Sequence, residues 1–461
     1  MEEITLKDMA TMCGGRLLNG NPDQKTRGVS IDSRTVREGE AFLALKGENF
    51  DGHDFVEPAI KKGAAAVVGH AAKLAAFAEN ANQHVGLIEV EDPLEALQKL
   101  AAAYRLRFDI PVVVITGSCG KTTTKDMLAA ILGRFRKTVA TQGNLNNLIG
   151  APLMLLRMNS DTEVAVIEIA SNALGEIERL ARIINPTMGV ITNIGPVHLE
   201  GFGSLEGVFR EKTSLIPHIR TNGALVIHEE DVPVDRIRSI FDGTIVTFSF
   251  KESADFYAVD IRQDIERGTE FLLNGKEKLL IPVLGEHNVL NALAATATAT
   301  QLGADMDSIA QGLATFSASS MRMQVCRCRG ATIINDAYNA NPRAMRESIS
   351  TAAAIPAERR IFAFGDMLEL GEHAQEAHLS LGRYIGDVSP DLLYLVGAFR
   401  NDVRDGALEA GMQPERIFCF DDTEEVAASL KELLRSGDLL LVKGSRGMRM
   451  EKIVQRLVEE E

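Results

Sequence analysis

Thr116-Gly117-Ser118-Cys119-Gly120-Lys121-Thr122-Thr123 is the stretch whose residue types and spacing point most directly to chemistry. Glycines at 117 and 120 let backbone N–H groups converge on an anion, and a helix opening at Lys121 adds the positive end of its dipole. Lys121 would reach the β- and γ-phosphates of a nucleoside triphosphate, and the Thr122 hydroxyl would ligate Mg²⁺. The common phosphate-loop pattern asks for glycine at 115, where this chain has Ile115; its first glycine is Gly117. An ordinary turn that happens to contain Gly-Lys-Thr is the competing reading. Cys119 lies inside the loop, but such loops work through backbone groups, so its thiol is expected to be incidental.

Two further groups fall where a nucleotide's metal would sit. Glu168 lies near the carboxyl end of the apolar run Glu163–Ile169, and His198 follows Met188–Ile194 through Gly195-Pro196-Val197. A glutamate in an apolar strand is costly unless it is paired or bound to metal. A satisfied structural carboxylate and a structural histidine are the plain alternatives. Downstream, three polar clusters close strand-like runs: Asp336-Ala337-Tyr338-Asn339-Ala340-Asn341-Pro342, Gly365-Asp366-Met367-Leu368-Glu369 and Lys443-Gly444-Ser445-Arg446. In open parallel sheets, ligands bind at the carboxyl ends of strands, so these clusters read as a second ligand face across a cleft from the first.

The elements that must hold these residues follow from periodicity. Ile110 to Ile115 is a β-branched run, the mark of a parallel strand buried on both faces. The next helix carries Met127, Leu128, Ile131 and Leu132 at helical spacing. Residues 1 to about 90 predict a small α/β domain with turn clusters at Asp32-Ser33-Arg34 and at Gly47 to His53; Arg34 beside a serine suits either a turn or a phosphate. A second domain opens with a helix from Pro93 to Arg105. From Ala224 to Val283, short alternating runs (245–250, 255–263 and 269–283) predict antiparallel strands added to that domain, and Gly285 precedes an Ala-rich helix. From about 317, runs at 332–335, 360–364, 392–396, 416–420 and 439–442 alternate with helical segments, which predicts a doubly wound parallel sheet. The expected fold is therefore α/β in three domains: a small N-terminal α/β domain (1–90), a central phosphate-loop parallel-sheet domain with antiparallel additions (91–316), and a C-terminal doubly wound, Rossmann-like domain (317–461).

Composition narrows the function classes. The chain of 461 residues is too long for one core. A net charge of −15 argues against a nucleic-acid surface, and no run is long and apolar enough to span a membrane. The N-terminus lacks the charged and apolar regions of a signal peptide, and five scattered cysteines suit a reducing compartment, so a cytoplasmic location is expected. Cys326 and Cys328 lack the spacing of a zinc site and read as strand residues on one face.

Taken together, these motifs resemble the Mur ligase family nearly end to end. The resemblance is carried by Asp32-Ser33-Arg34 with Asp51-Gly52-His53, the 116–122 loop, Gly143-Asn144-Leu145-Asn146-Asn147, and Glu168 with Asn172 and Gly175-Glu176-Ile177. It continues through 192–198, Gly201 to Ser204, Lys212, Gly285-Glu286-His287-Asn288 with Asn291, Tyr338 to Pro342, Gly365 to Glu369, and Lys443 to Arg446. The resemblance implies ATP-dependent amide-bond formation through an acyl phosphate, joining D-alanyl-D-alanine to UDP-N-acetylmuramoyl-tripeptide, with ATP and Mg²⁺ required; a monomer is expected, although no residue pattern speaks to oligomeric state. It implies that Ser33, Arg34 and Lys46 hold the UDP end, and that Asn144, Asn147, Asn339 and Asn341 meet the peptide substrates. Gly117 to Thr123 would bind ATP phosphates, with Asn291 at the adenine, Arg322 at the γ-phosphate and Asp336 at the ribose. Thr122, Glu168 and His198 would hold the metal. Lys121, His198, Lys212 and Arg322 would be catalytic, Lys212 as a carbamate. Two positions depart from the family: Ala170 replaces a glycine, and Met321-Arg322-Met323 replaces Gly-Arg.

Two other classes fit parts of the chain. A phosphotransferase or mechanical ATPase would show an Asp-based metal site, and a nucleotide-sugar-binding module would not need a buried Glu168. Within the family the alternative is the sister ligase that adds the third amino acid to the nucleotide dipeptide. That enzyme usually carries Asp-x-Ala-His-x-Pro, whereas this chain has Asp336-Ala337-Tyr338-Asn339-Ala340-Asn341-Pro342.

Overall fold

The structure, a computed structural model, describes residues 1–78 and 85–459. Nine strands form the central sheet, in the order 277–281, 268–273, 256–264, 244–249, 224–228, 188–191, 112–116, 164–168, 138–140. The strand Val112–Thr116 lies between Met188–Ile191 and Val164–Glu168, both parallel to it. Alternate residues of that strand feed two cores: Val112 and Val114 pack on one face, Val113 and Ile115 on the other. Burial on both faces explains why the run reads as continuously apolar.

Register places the chemistry. Glu168 pairs with Ile115 and Ile191 with Thr116, so all three strands end level, and their connecting loops meet at the start of the helix Lys121–Leu132. Ile115 sits inside this ladder, fully buried. A glycine there is not needed, because the turn begins only at Gly117.

The expectation of antiparallel strands throughout 224–283 needs correction. Thr244–Ser249 runs parallel to Ala224–His228, because the helix Val234–Arg238 lies between them and supplies the crossover that a parallel pair needs. Phe256–Asp264 also starts parallel, and antiparallel pairing holds only from there, through Gly268–Leu273 and Glu277–Ile281.

The N-terminal residues form a five-stranded sheet ordered 16–19, 86–90, 66–70, 41–43, 29–30. One apolar cluster joins its Leu43, Val68 and Ile88 through the helix Pro93–Arg105 to the central sheet. The C-terminal sheet has six strands in the order 324–328, 331–336, 438–443, 359–364, 392–396, 417–420. All its pairings are parallel except Gln324–Cys328 against Ala331–Asp336. Asp336 and Phe364 both pair with Lys443, which brings the three polar strand ends to one edge. Cys326 and Cys328 lie two apart on one strand and pack on the same core, as expected.

Candidate active site

The phosphate loop is tight. Gly117 (φ +146°) and Gly120 (φ +79°) hold left-handed conformations, and a Cβ at either would lie about 2 Å from Thr192 Oγ1 or Asn291 Oδ1. The turn after Met188–Ile191 buttresses it: Ser118 Oγ donates to Gly195 O, Thr192 Oγ1 and Asn193 Nδ2 donate to Cys119 O, and Asn193 accepts from the N–H groups of Ser118 and Cys119. Those two N–H groups are therefore already used. The free anion donors are the first N–H groups of the following helix, from Lys121 onward. Lys121 Nζ folds over the loop onto Gly117 O (2.8 Å) and Ser118 O (3.2 Å). Burial lowers its pKa, and the nearby Glu168 partly offsets this.

Glu168 is almost fully buried. Its Oε1 accepts from Asn146 Nδ2 (2.8 Å) and Thr122 Oγ1 (3.2 Å), whereas Oε2 is buried without a partner. Asn146, given no role from sequence, thus touches the key carboxylate. Asn144 is exposed, and Asn147 spends its side-chain oxygen on the N–H groups of Ile149 and Gly150 at a helix start. Neither of them lines the cavity that holds the phosphate loop, and Asn146 does. In the run Gly143-Asn144-Leu145-Asn146-Asn147 only the backbone path decides which amide turns inward, so the sequence carries no signal for it.

His198 has φ +47° and lines the same cavity. Its Nδ1 lies 2.5 Å from Glu369 Oε2 of the C-terminal sheet. Burial lowers its pKa against the opposing pull of Glu369. Among the described residues no group of three His, Cys, Asp or Glu side chains comes together as a metal cluster.

Lys212 is not on a solvated helical face, although its neighbours Arg210 and Glu211 are charged. It is 1 % exposed, its Nζ donates to Ser171 Oγ (3.0 Å), and it lies over the Phe202 ring. Glu211 is buried too, because its carboxylate caps the N–H groups of Gly175 and Ile177. Burial brings the Lys212 pKa down to about 7, and the Lys121 charge adds to the effect.

The C-terminal sheet closes the other side. Arg322 donates to Thr122 Oγ1 (3.2 Å) and stacks over the Tyr338 ring at 3.9 Å. Met321 takes φ +62° and Met323 φ +49°, so Met321, which stands where the family has glycine before Arg322, adopts the left-handed conformation that glycine favours. Asp336 is fully engaged, accepting from Lys443 Nζ (2.5 Å), Ser348 Oγ (2.6 Å) and Met323 N (3.1 Å). Asn291 faces Gly120 and hydrogen-bonds Thr124 and Asn288. Asn341 caps the helix Pro342–Ala354 and donates to Cys119 Sγ (3.2 Å). The Cys119 thiol is therefore not incidental, because it joins the phosphate loop to the facing sheet. One cavity is lined by Lys121, Glu168, His198, Asn291, Arg322, Asp336, Asn339 and Asn341.

Ser33, Arg34 and Lys46 stand apart from that cavity, in loops that follow strands of the N-terminal sheet. Ser33 is buried, Arg34 is exposed and paired with Asp32, and Lys46 is exposed beside a bridge to Asp51. His53 is structural: its Nε2 accepts from His70 N, which leaves Nδ1–H for Asp51 at 2.6 Å.

Phosphoryl transfer alone would need only the central sheet. The second set of polar strand ends facing it marks an ATP-dependent ligase. Residues 115–299 match the family model described as Mur ligase middle domain, 321–446 that of the Mur ligase, glutamate ligase domain, and 25–105 that of the Mur ligase family, catalytic domain. The UDP-N-acetylmuramoyl-tripeptide–D-alanyl-D-alanine ligase of Bacillus subtilis (strain 168) is 37% identical over 463 residues, spanning 100% of this chain and 99% of its own. The enzyme of that name from Escherichia coli (strain K12) is 33% identical over 468 residues, with the same coverage. A crystal structure of MurF from Acinetobacter baumannii superposes with a TM-score of 0.89 at 31% identity, covering 100% of this chain and 99% of that one. MurF from Thermotoga maritima in complex with ADP gives 0.82 at 29% identity, covering 94% and 98%. The chain belongs to the Mur ligase family.

Proposed function

We propose that this protein joins D-alanyl-D-alanine to UDP-N-acetylmuramoyl-tripeptide at the expense of ATP, in peptidoglycan precursor synthesis. The observation that carries this reading is the single cavity in which the phosphate loop faces Tyr338, Asn339 and Asn341 of the C-terminal sheet. Full-length similarity to enzymes of that name supports it. In this reading residues 1–90 hold the UDP end through Ser33, Arg34 and Lys46, 91–316 hold ATP, and 317–461 receive the dipeptide. Asn144 and Asn147 would meet the nucleotide peptide from outside the cavity. The proposed setting is the cytoplasm, which fits five free cysteines and the use of ATP; no helix among the described residues is long and apolar enough to cross a membrane.

A carboxylate and an amine do not condense in water unless a carboxylate oxygen becomes a leaving group. Phosphorylation by ATP does this, after which the dipeptide amine displaces phosphate. Lys121 and the helix N-terminus stabilise charge on the transferring phosphoryl, with Arg322 as a second cation held by Tyr338 and Thr122. Asn291 would lie at the adenine, and Asp336, held by Lys443, at the ribose. The residues present fit Mg²⁺: Glu168 Oε2 is a buried carboxylate oxygen without a partner, and the Thr122 hydroxyl lies against the other oxygen. Glu168 and Thr122 would hold the ion with His198 alongside, and when bound it would neutralise charge on the phosphoryl oxygens. The lowered pKa of Lys212 would favour the neutral amine that carbamate formation needs. Its nitrogen would bond to the carbon of CO₂, one C–O π bond would become a carboxylate, and the displaced proton would pass to solvent. Contacts between the central domain and the C-terminal sheet would exclude water from the acyl phosphate.

The test is phosphate release from ATP with the nucleotide tripeptide, with and without D-alanyl-D-alanine. Release is expected only when both are present. Undiminished release with both omitted would overturn the reading.

A further inference from the structure

Arg343 stands in the second position of the helix Pro342–Ala354, at the boundary between the C-terminal and central sheets. One of its terminal nitrogens donates to Asp231 Oδ2 at 2.5 Å, and its Nε donates to Glu347 Oε1 at 2.9 Å, one turn along its own helix. Its side chain passes close to Gly195, in the turn that buttresses the phosphate loop. Asp231 belongs to the central domain, just after the strand Ala224–His228, and His228 Nδ1 lies 3.1 Å from the same Asp231 oxygen. Both ends of the Arg343–Asp231 pair are largely buried, with side chains 26% and 20% exposed.

The neighbouring residue Asn341 reaches Cys119 of the phosphate loop. Residues 341–343 therefore grip the central domain at two points, the loop through Asn341 and the strand end through Arg343. Of the other cross-boundary contacts, Arg322 to Thr122 and Glu369 to His198 involve groups with proposed roles toward nucleotide or metal, whereas Arg327 to Glu266 and Ser319 to Asp126 lie outside the cavity. Asp231 has no such role and does not line the cavity; Arg343 does line it. Two carboxylates, Asp231 and Glu347, already face one guanidinium. A third carboxylate, from a dipeptide, would be repelled there, so Arg343 is not built as an anion receptor.

We propose that Asp231 and Arg343 form a latch, a pair of positioning residues that seats the 341–343 segment over the phosphate loop and so sets where the acceptor amine is held. The inference rests on the ligase reading above. Burial by itself would raise the Asp231 carboxyl pKa; the hydrogen bond with His228 and the charge of Arg343 outweigh it and leave the group below its ordinary value, as an ionised latch requires. A partly buried, hydrogen-bonded pair is also screened less than a surface one.

The test compares Asp231→Asn, Arg343→Met, Arg343→Lys and the Asp231→Asn/Arg343→Met double variant with wild type. Steady-state kinetics are run against each substrate, and ADP affinity is measured by direct binding. The single variants are expected to raise the dipeptide KM and lower kcat, by about tenfold together in kcat/KM, with ADP affinity and the nucleotide-tripeptide KM unchanged. Arg343→Lys is expected to recover part of the loss, and the double variant to be no worse than the poorer single. Additive losses, an unchanged dipeptide KM, or equally weakened ADP binding would overturn the latch. Small-angle scattering with a non-hydrolysable ATP analogue gives a readout that needs no acceptor: wild type is expected to be more compact than the variants, and identical profiles would overturn the latch. A wild type that compacts but does not ligate the dipeptide would overturn the ligase reading and leave the latch standing.

Discussion

Lys212 offers the sharpest test, because its environment makes a quantitative demand. Burial beside Phe202 and Ser171 lowers its pKa from 10.5 to about 7. An amine with the ordinary value would be neutral in about one molecule in a thousand at about pH 7.5, whereas this one is neutral in about three quarters. Only the neutral amine attacks CO₂, so the site gains several hundredfold, on the order of that ratio, in competent amine. The sign follows from the direction of the shift. The ammonium dominates below about pH 7, so at a fixed bicarbonate concentration carbamate occupancy is expected to climb about tenfold from about pH 6 to about pH 8 and then level off. The assay has two parts. Carbon-13 NMR with labelled bicarbonate should show a carbamate resonance in wild type that is absent from Lys212→Ala. Ligation measured in CO₂-depleted buffer should fall and should recover on adding bicarbonate. Lys212→Arg keeps a cation but cannot carry the carbamate, so it should be as inactive as alanine. An active arginine variant, or full activity without CO₂ and no labelled resonance, would rule out a carbamate on Lys212.

Other outcomes follow from the same geometry. Lys121→Ala should cost several kcal/mol of transition-state stabilisation, about a hundredfold or more in kcat, and near wild-type turnover would remove the phosphate loop from the mechanism. Glu168→Gln replaces the unpartnered oxygen, so the Mg²⁺ concentration for half-maximal activity should rise by about tenfold or more; an unchanged titration would place the ion elsewhere. Asn146→Ala removes a hydrogen bond to a charged carboxylate, worth roughly 1.5–3 kcal/mol, and should lower kcat more than Asn144→Ala does; equal effects in a side-by-side assay would count against the inward role of Asn146.

The phosphate loop, the three-domain α/β plan and the polar ends of the C-terminal strands were legible in the residues alone. Parallel strands buried on both faces, such as Val112–Thr116 and Leu439–Leu441, must be apolar throughout, and their ends announce themselves where glycine and polar residues begin. Three features depended on partners distant in the chain. The charges of Arg210-Glu211-Lys212 leave a solvated face open as the plain alternative to a carbamate, yet Glu211 is drawn inward by the N–H groups of Gly175 and Ile177 and Lys212 by Ser171. Asn144 and Asn146 are equivalent in the sequence, and only the fold turns Asn146 onto Glu168. Thr244–Ser249 runs parallel to its neighbour because a short helix supplies the crossover, which strand composition does not encode. Local pattern determined which segments are strands, loops and helices; the burial and pairing of charged side chains were decided by long-range contacts, because the cost of burying a charge depends on the groups waiting to receive it.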